Sequence, residues 1–292
     1  MSHSFYTALG TPVDEAGHVI AESLAGHVED QVDRGAEGLL VMGSMGMQPA
    51  IRNGEYAKVA RIAAEAAKGA CPVYVGVMDN AIARVKDRID SLEGLAIDGV
   101  VATLPFFFLP SPGEAARFFR GLADASPFPV YLYDLPGVTQ CRLSAAVVME
   151  LAAHPNIAGI KSGDLALSRV LQLELSGSRP DFQIIYSGLD TFDAAYSYGI
   201  RRNLDGMFSC TGAVASDMYA ALQAGQQVTA AGKLDDILGL RNLFVEVGVF
   251  PGFTCAMNLL GFEGRFHPDY SAALGPAQAE RVKSYMKKIS LI

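Results

Sequence analysis

The feature that most constrains this chain is an alternation. Eight short apolar runs are separated by longer segments of helical period. The runs are FYTAL at Phe5, GLLVMG from Gly38, PVYVGV from Pro72, GVVATL from Gly99, PVYLYD from Pro129, IAGIK from Ile157, FQIIYSG from Phe182 and DGMFS from Asp205. They recur roughly every 22–34 residues, the length of a strand–helix unit with its loops. Most are continuously apolar, as expected of strands covered on both faces.

The intervening segments carry helix signals. VIAESLAGHVEDQVDRG places Ile20, Leu24, Val28 and Val32 on one face and stops at Gly35. GEYAKVARIAAEAAKG repeats apolar residues at three and four and ends at Gly69. Ser111 is placed as an N-cap with Pro112 at the first helical position, and SAAVVMELAAHP runs from Ser144 to before Pro155. Eight such units in strict order predict an α/β chain of the (β/α)8 (TIM) barrel type. The alternative is an open Rossmann-like sheet, but the first turn, ALGTPVDEAG, lacks the GxGxxG fingerprint. Residues 1–225 are assigned to the barrel. Residues 226–292, with helical patterns over 230–248, 254–260 and 276–289, are assigned to a C-terminal helical appendage packed on it.

Composition removes several function classes. Half of the 292 residues are apolar and 18% are charged, enough for a large core. A net charge of −8 argues against nucleic acid or an anionic membrane as the partner. No apolar stretch of about eighteen residues predicts a membrane span, and no charged-then-apolar leader is recognised. Cys71, Cys141, Cys210 and Cys255 are scattered, with no CxxC pair, and fit a reducing cytoplasmic setting. His3, His18, His27, His154 and His267 form no HxxH or HExxH pair, so no metal is expected.

In a barrel, chemistry belongs at the C-terminal ends of the strands. There the sequence offers Gly43-Ser44-Met45-Gly46, Tyr133-Asp134, Lys161, Ser187-Gly188-Leu189-Asp190 and Ser209. Lys161 closes the apolar run IAGIK. Such a lysine either packs its stem and sends its head to solvent, or is desolvated and used, because burial favours the neutral, nucleophilic amine. Tyr133 follows Tyr131 at period two, so the two phenols share a face. Its alternatives are a core tyrosine with a satisfied hydroxyl and a proton-transfer group. The 43–46 segment is either an ordinary glycine turn or an anion-holding loop. Asp134, Asp164 and Asp190 read as loop caps and turn residues. Together, a lysine, a phenol and an anion-binding loop at three strand ends make a coherent site for Schiff-base chemistry on a 2-oxo acid.

With these residues in place the chain resembles the dihydrodipicolinate synthase / N-acetylneuraminate lyase family of class I aldolases. The likeness runs through TALGTPVDEAGHV, GSMG, LPFFF, YDLPG, GIK, SGLD and LFVEVGVFPGFTCAMNLLGF, in that order. It implies Lys161 as the Schiff-base residue and Tyr133 as the general acid/base. Ser44 and the Met45 N–H would take the carboxylate of pyruvate or a related 2-oxo acid. Gly188, Asp190 and Ser209 would line the pocket for the rest of the substrate. It also implies a homotetramer, built as a dimer of dimers, and no cofactor.

The chain departs from the family pattern at several positions. Met45-Gly46-Met47 stands for Thr-Gly-Glu. Phe106 and Phe107 stand where the synthases place a relay tyrosine, and Val138 where they place an arginine that binds a second carboxylate. Thr191 replaces a glutamate of the sialic acid lyases. The expected function is therefore an aldolase or hydro-lyase on a 2-oxo acid, with an apolar wall at residues 106–109 facing a less polar or shorter second substrate. The alternatives are the synthase reaction itself and a silent barrel that binds a 2-oxo acid.

Overall fold

The computed structural model describes residues 4–292; His3, one of the histidines weighed as a ligand, lies outside them. In chain order the elements are β1 (Tyr6–Ala8), α1 (Ala21–Asp33), β2 (Gly38–Val41), α2 (Tyr56–Ala67), β3 (Val73–Gly76), α3 (Ile82–Asp90), β4 (Gly99–Thr103) and α4 (Pro112–Ala125). There follow β5 (Val130–Asp134), α5 (Pro136–Thr139), α6 (Ala145–Ala152), β6 (Ile157–Ser162), α7 (Leu165–Ser178), β7 (Gln183–Tyr186) and α8 (Phe192–Ser197). The last are β8 (Leu204–Asp205), α9 (Phe208–Gln223), α10 (Gln227–Val247), α11 (Val249–Leu259) and α12 (Pro276–Lys288).

The strands form one sheet in the order β7-β6-β5-β4-β3-β2-β1-β8. Asn203, beside β8, makes a parallel bridge with Tyr186 of β7. The order thus closes on itself, and the chain is a (β/α)8 barrel followed by C-terminal helices, not an open sheet. Two compact units divide it: residues up to 73 with 205–292, and residues 74–204.

In the first unit β1 and β2 run parallel, Tyr6 opposite Gly38, and the Tyr6 ring occupies the space a β-carbon on Gly38 would need. Helix α1 buries Leu24, His27, Val28 and Gln31 and gives way to Gly35 at φ +84°. Helix α2 ends on Lys68 and Gly69, both left-handed, as the terminal glycine predicts. Helix α10 packs on α9 and α11, and α12 on α10 and α11. Helix α11 begins at Val249, earlier than the expected residue 254. Pro251 sits in its first turn, where a missing N–H leaves no bond unmade. The eighth strand also differs from expectation. It is only Leu204–Asp205, and Ser209 lies in the first turn of α9 instead of at a strand end.

In the second unit β3 to β7 pair in parallel, each with its chain neighbour. Helix α4 starts on the expected Ser111, whose side chain and that of Glu114 form a capping box. Ser144 caps α6 by accepting from the Val147 N–H at 3.4 Å.

Candidate active site

Between β5 and β6 the register shifts by one residue. Val130 faces Ile157, but Tyr131 faces Gly159, so Ala158 is left over. Beyond the shift Tyr133 pairs with Lys161 and Asp134 with Ser162. Without it Tyr133 would face Ile160. In-register neighbours of a parallel pair present side chains to one face, so this shift is what makes lysine and phenol neighbours. Gly159 allows it: a β-carbon there would run into the Gln183 carbonyl and come within 2.9 Å of the Tyr131 ring.

Lys161 is 7% exposed and Tyr133 4%. The lysine Nζ lies 3.8 Å from the centre of the Tyr133 ring. Among the described residues no carboxylate lies within ion-pair distance of that amine. The long side chain therefore does not reach out to solvent, as a merely amphipathic lysine does.

Behind this pair is a second set of contacts. Asp134, 4% exposed, accepts the Leu143 N–H at 3.0 Å and the Ser162 hydroxyl at 2.9 Å. The Ser162 oxygen in turn accepts the Asp164 N–H at 3.1 Å. Asp164 caps α7 through the Leu167 N–H at 2.9 Å, and Arg142 donates to it at 3.2 Å. Asp134 and Asp164 are thus loop- and helix-fixing groups, as read from sequence.

The loop after β7 is fixed by Tyr186. Its buried phenol meets the Thr191 hydroxyl at 2.5 Å and occupies the space a side chain on Gly188 would need. Burial raises the Tyr186 pKa, partly offset by the bond to Thr191. Asp190 lies on the one-turn 3-10 helix Leu189–Thr191 and is exposed. The aromatic wall is tied at its base. Asn80 Oδ1 accepts the N–H groups of Phe106 and Phe107 at 2.8 and 2.9 Å, while the rings of Phe107 and Phe108, packed edge to face, are 75% and 76% exposed. Beside Asn80, Asp79 pairs with Arg84 and Arg88. Burial of its carboxyl is outweighed by the hydrogen bonds of Arg84, the Asn80 N–H and Arg88, which bring its pKa down to about 2.

In the other unit the strand-two loop is bounded by two left-handed methionines, Met42 (φ 51°) and Met47 (φ 55°). That conformation costs a non-glycine residue on the order of 1–3 kcal/mol. Gly46 cannot carry a side chain: its β-carbon would lie 2.7 Å from the Met42 nitrogen and 3.0 Å from the Leu9 carbonyl. The Thr11 hydroxyl holds the Gly46 carbonyl at 2.8 Å. Ser44 lies within this loop, and the Met45 N–H donates to no protein acceptor among the described residues. The Met45 side chain packs against Gly206, three residues before Ser209. The Ser209 hydroxyl donates to the Ala8 carbonyl at 2.9 Å, and its own carbonyl receives His27 Nε2 at 3.2 Å. Full burial is the main cause of the low His27 pKa, about 4.

No group of three His, Cys, Asp or Glu side chains suited to a metal occurs among the described residues, and no described helix is long and apolar enough to cross a membrane. What fold and side chains define together is a (β/α)8 barrel with a buried lysine against a phenol at the ends of strands five and six. The chain matches the model of the dihydrodipicolinate synthetase family over residues 1–290, and it belongs to that family of lyases. Its relatives include the 4-hydroxy-tetrahydrodipicolinate synthases of Acidiphilium cryptum (29% identical, covering 100% of both chains) and Porphyromonas gingivalis (31%, covering 74% of this chain and 71% of that one). The fold matches the crystal structure of YagE, a prophage protein of that family from E. coli K12, in complex with pyruvate (TM-score 0.90, 22% identity, 99% of each chain). It also matches a chloride-inhibited dihydrodipicolinate synthase from Acinetobacter baumannii complexed with pyruvate (TM-score 0.89, 21% identity, 100% of each chain).

Proposed function

We propose that this protein is a Schiff-base lyase acting on a 2-oxo acid, pyruvate or a pyruvate-derived sugar acid, through Lys161. The neutral amine adds to the ketone carbon, water leaves, and a ketimine forms. Its protonated nitrogen draws in the electron pair released when a bond at the β position breaks, and the reverse flow makes that bond. Tyr133 moves the protons. Ser44 and the Met45 N–H take the carboxylate, and Phe107, Gly188, Asp190 and Ser209 line the space for the second substrate. The observation that carries this reading is a buried lysine, without a carboxylate partner, lying against Tyr133. Family membership supports it. So does the pyruvate bound in two structural neighbours, which is a statement about those proteins.

Incubation with pyruvate and borohydride, followed by peptide mass mapping, tests it. A pyruvate-derived mass is expected on the peptide holding Lys161; an unmodified Lys161 would overturn the mechanism. Trapping without turnover on any 2-oxo acid would mark a silent, ligand-binding barrel instead.

A second reading is the synthase reaction itself, which the names of the curated relatives favour. Phe107 and Val138 stand against it, because neither can relay a proton or pair with a carboxylate. Condensation of pyruvate with aspartate semialdehyde at a rate that Phe107→Tyr with Val138→Arg does not improve would favour the synthase. We also infer that the chain assembles as a dimer of dimers, which sedimentation tests, and that residues 226–292 act as an appendage to the barrel. The four free thiols support a reducing, cytoplasmic setting.

A further inference from the structure

We propose that Asp134 and Ser162 form a register clasp that positions Lys161 against Tyr133, a role that rests on the Schiff-base reading above. A one-residue slip between strands sends every side chain beyond it to the opposite face. The β5–β6 ladder already contains one such shift, at Ala158, before it reaches the two reactive residues. Something must keep that shift from relaxing. Only one paired position lies beyond Tyr133 and Lys161, and it holds Asp134 opposite Ser162.

Successive side chains on a strand alternate in direction, so the clasp closes on the face opposite the lysine and phenol. Its chemistry suits a lock. The Asp134 carboxyl is buried, and among the described residues no cation lies within ion-pair distance of it. It is satisfied by the Leu143 N–H and the Ser162 hydroxyl. Loss of the hydroxyl would strand a buried carboxylate oxygen, which is strongly unfavourable. The hydroxyl cannot turn away either, since its oxygen also receives the Asp164 N–H. A slipped register loses all of this at once. Asp134 and Ser162 are positioning residues, acting through Lys161 and Tyr133 and touching no substrate.

The test is the rate of borohydride-trappable adduct formation with pyruvate, measured beside thermal unfolding. Ser162→Ala is expected to slow trapping about tenfold in the folded protein, since small misplacements of reacting groups carry penalties of that order or more. Asp134→Asn keeps an acceptor for Leu143 and can donate to the serine oxygen, so it should stay within about threefold of wild type by the same measure. The Asp134→Ala, Ser162→Ala double variant should be no slower than the worse single one, because both break one contact. Ser162→Ala trapping at the wild-type rate, or a double variant slowed by the product of the singles, would overturn the clasp. If Ser162→Ala does not fold, Ser162→Thr decides: it must trap at close to the wild-type rate, and a slow but folded Ser162→Thr refutes the proposal. Failure of wild type to trap at all would sink the Schiff-base reading, a separate outcome.

Discussion

The strand-five and strand-six ends and the strand-two loop solve opposite problems. At Tyr133 and Lys161 the backbone is regular strand, and what is presented is side chains, brought into register by one surplus residue. From Met42 to Met47 the backbone enters the left-handed region at both ends, and on the proposed reading it offers the Met45 N–H beside a small hydroxyl residue. Side chains are aimed by register, whereas main-chain donors are exposed only by taking the chain out of regular structure. Strain belongs in the second place and has no use in the first.

The comparison can be broken from either side. Lys161→Ala should remove turnover by about a thousandfold or more, as loss of a nucleophile does, and abolish borohydride trapping; retained turnover would end the lysine's role. Tyr133→Phe should still trap pyruvate while turnover falls about a hundredfold, the range of a proton-transfer group. Equal loss of trapping and turnover would show the phenol to be structural. In the loop, Gly46→Ala puts a β-carbon against the Met42 backbone and should cost about 2–3 kcal/mol in urea unfolding. A neutral result would mean the loop can relax and its geometry is not enforced.

The smallest expected effect concerns His27 of α1, buried against the Ser209 carbonyl. His27, with an ordinary value of 6.5, titrates at about 4 in the fold. The unfolded chain therefore binds the proton first. The stability this group contributes is whole above pH 6.5 and is lost as pH falls towards 4. At pH 5 the loss should be about 2 kcal/mol. Urea unfolding at pH 7.5 and pH 5 should show this difference in wild type and a flatter dependence in His27→Gln. The same slope in both proteins would remove His27 from the account.

Much of this was legible in the sequence. Continuous apolar runs specify buried parallel strands, and the terminal glycines and Ser111 mark helix ends by local chemistry alone. Lys161 and Tyr133 were visible because each closes such a run. Their adjacency was not. It depends on Ala158 being surplus, and the five residues of IAGIK read the same in either register. The left-handed Met42 and Met47 were equally silent, since nothing in a methionine favours that conformation. Ser209 was misplaced because a two-residue β8 runs almost directly into α9, and apolar content does not separate a strand from a buried first turn. Asn80 was overlooked because its partners are main-chain amides 26 and 27 residues away.

Asn80 leaves a last consequence. The rings of Phe107 and Phe108 are largely bare, yet the main chain beneath them is already pinned through two amides. A bare aromatic loop ordinarily surrenders backbone entropy of about 1–2 kcal/mol per residue when something settles on it. Here much of that disorder has been removed during folding, so whatever covers these rings gains their burial with little left to freeze.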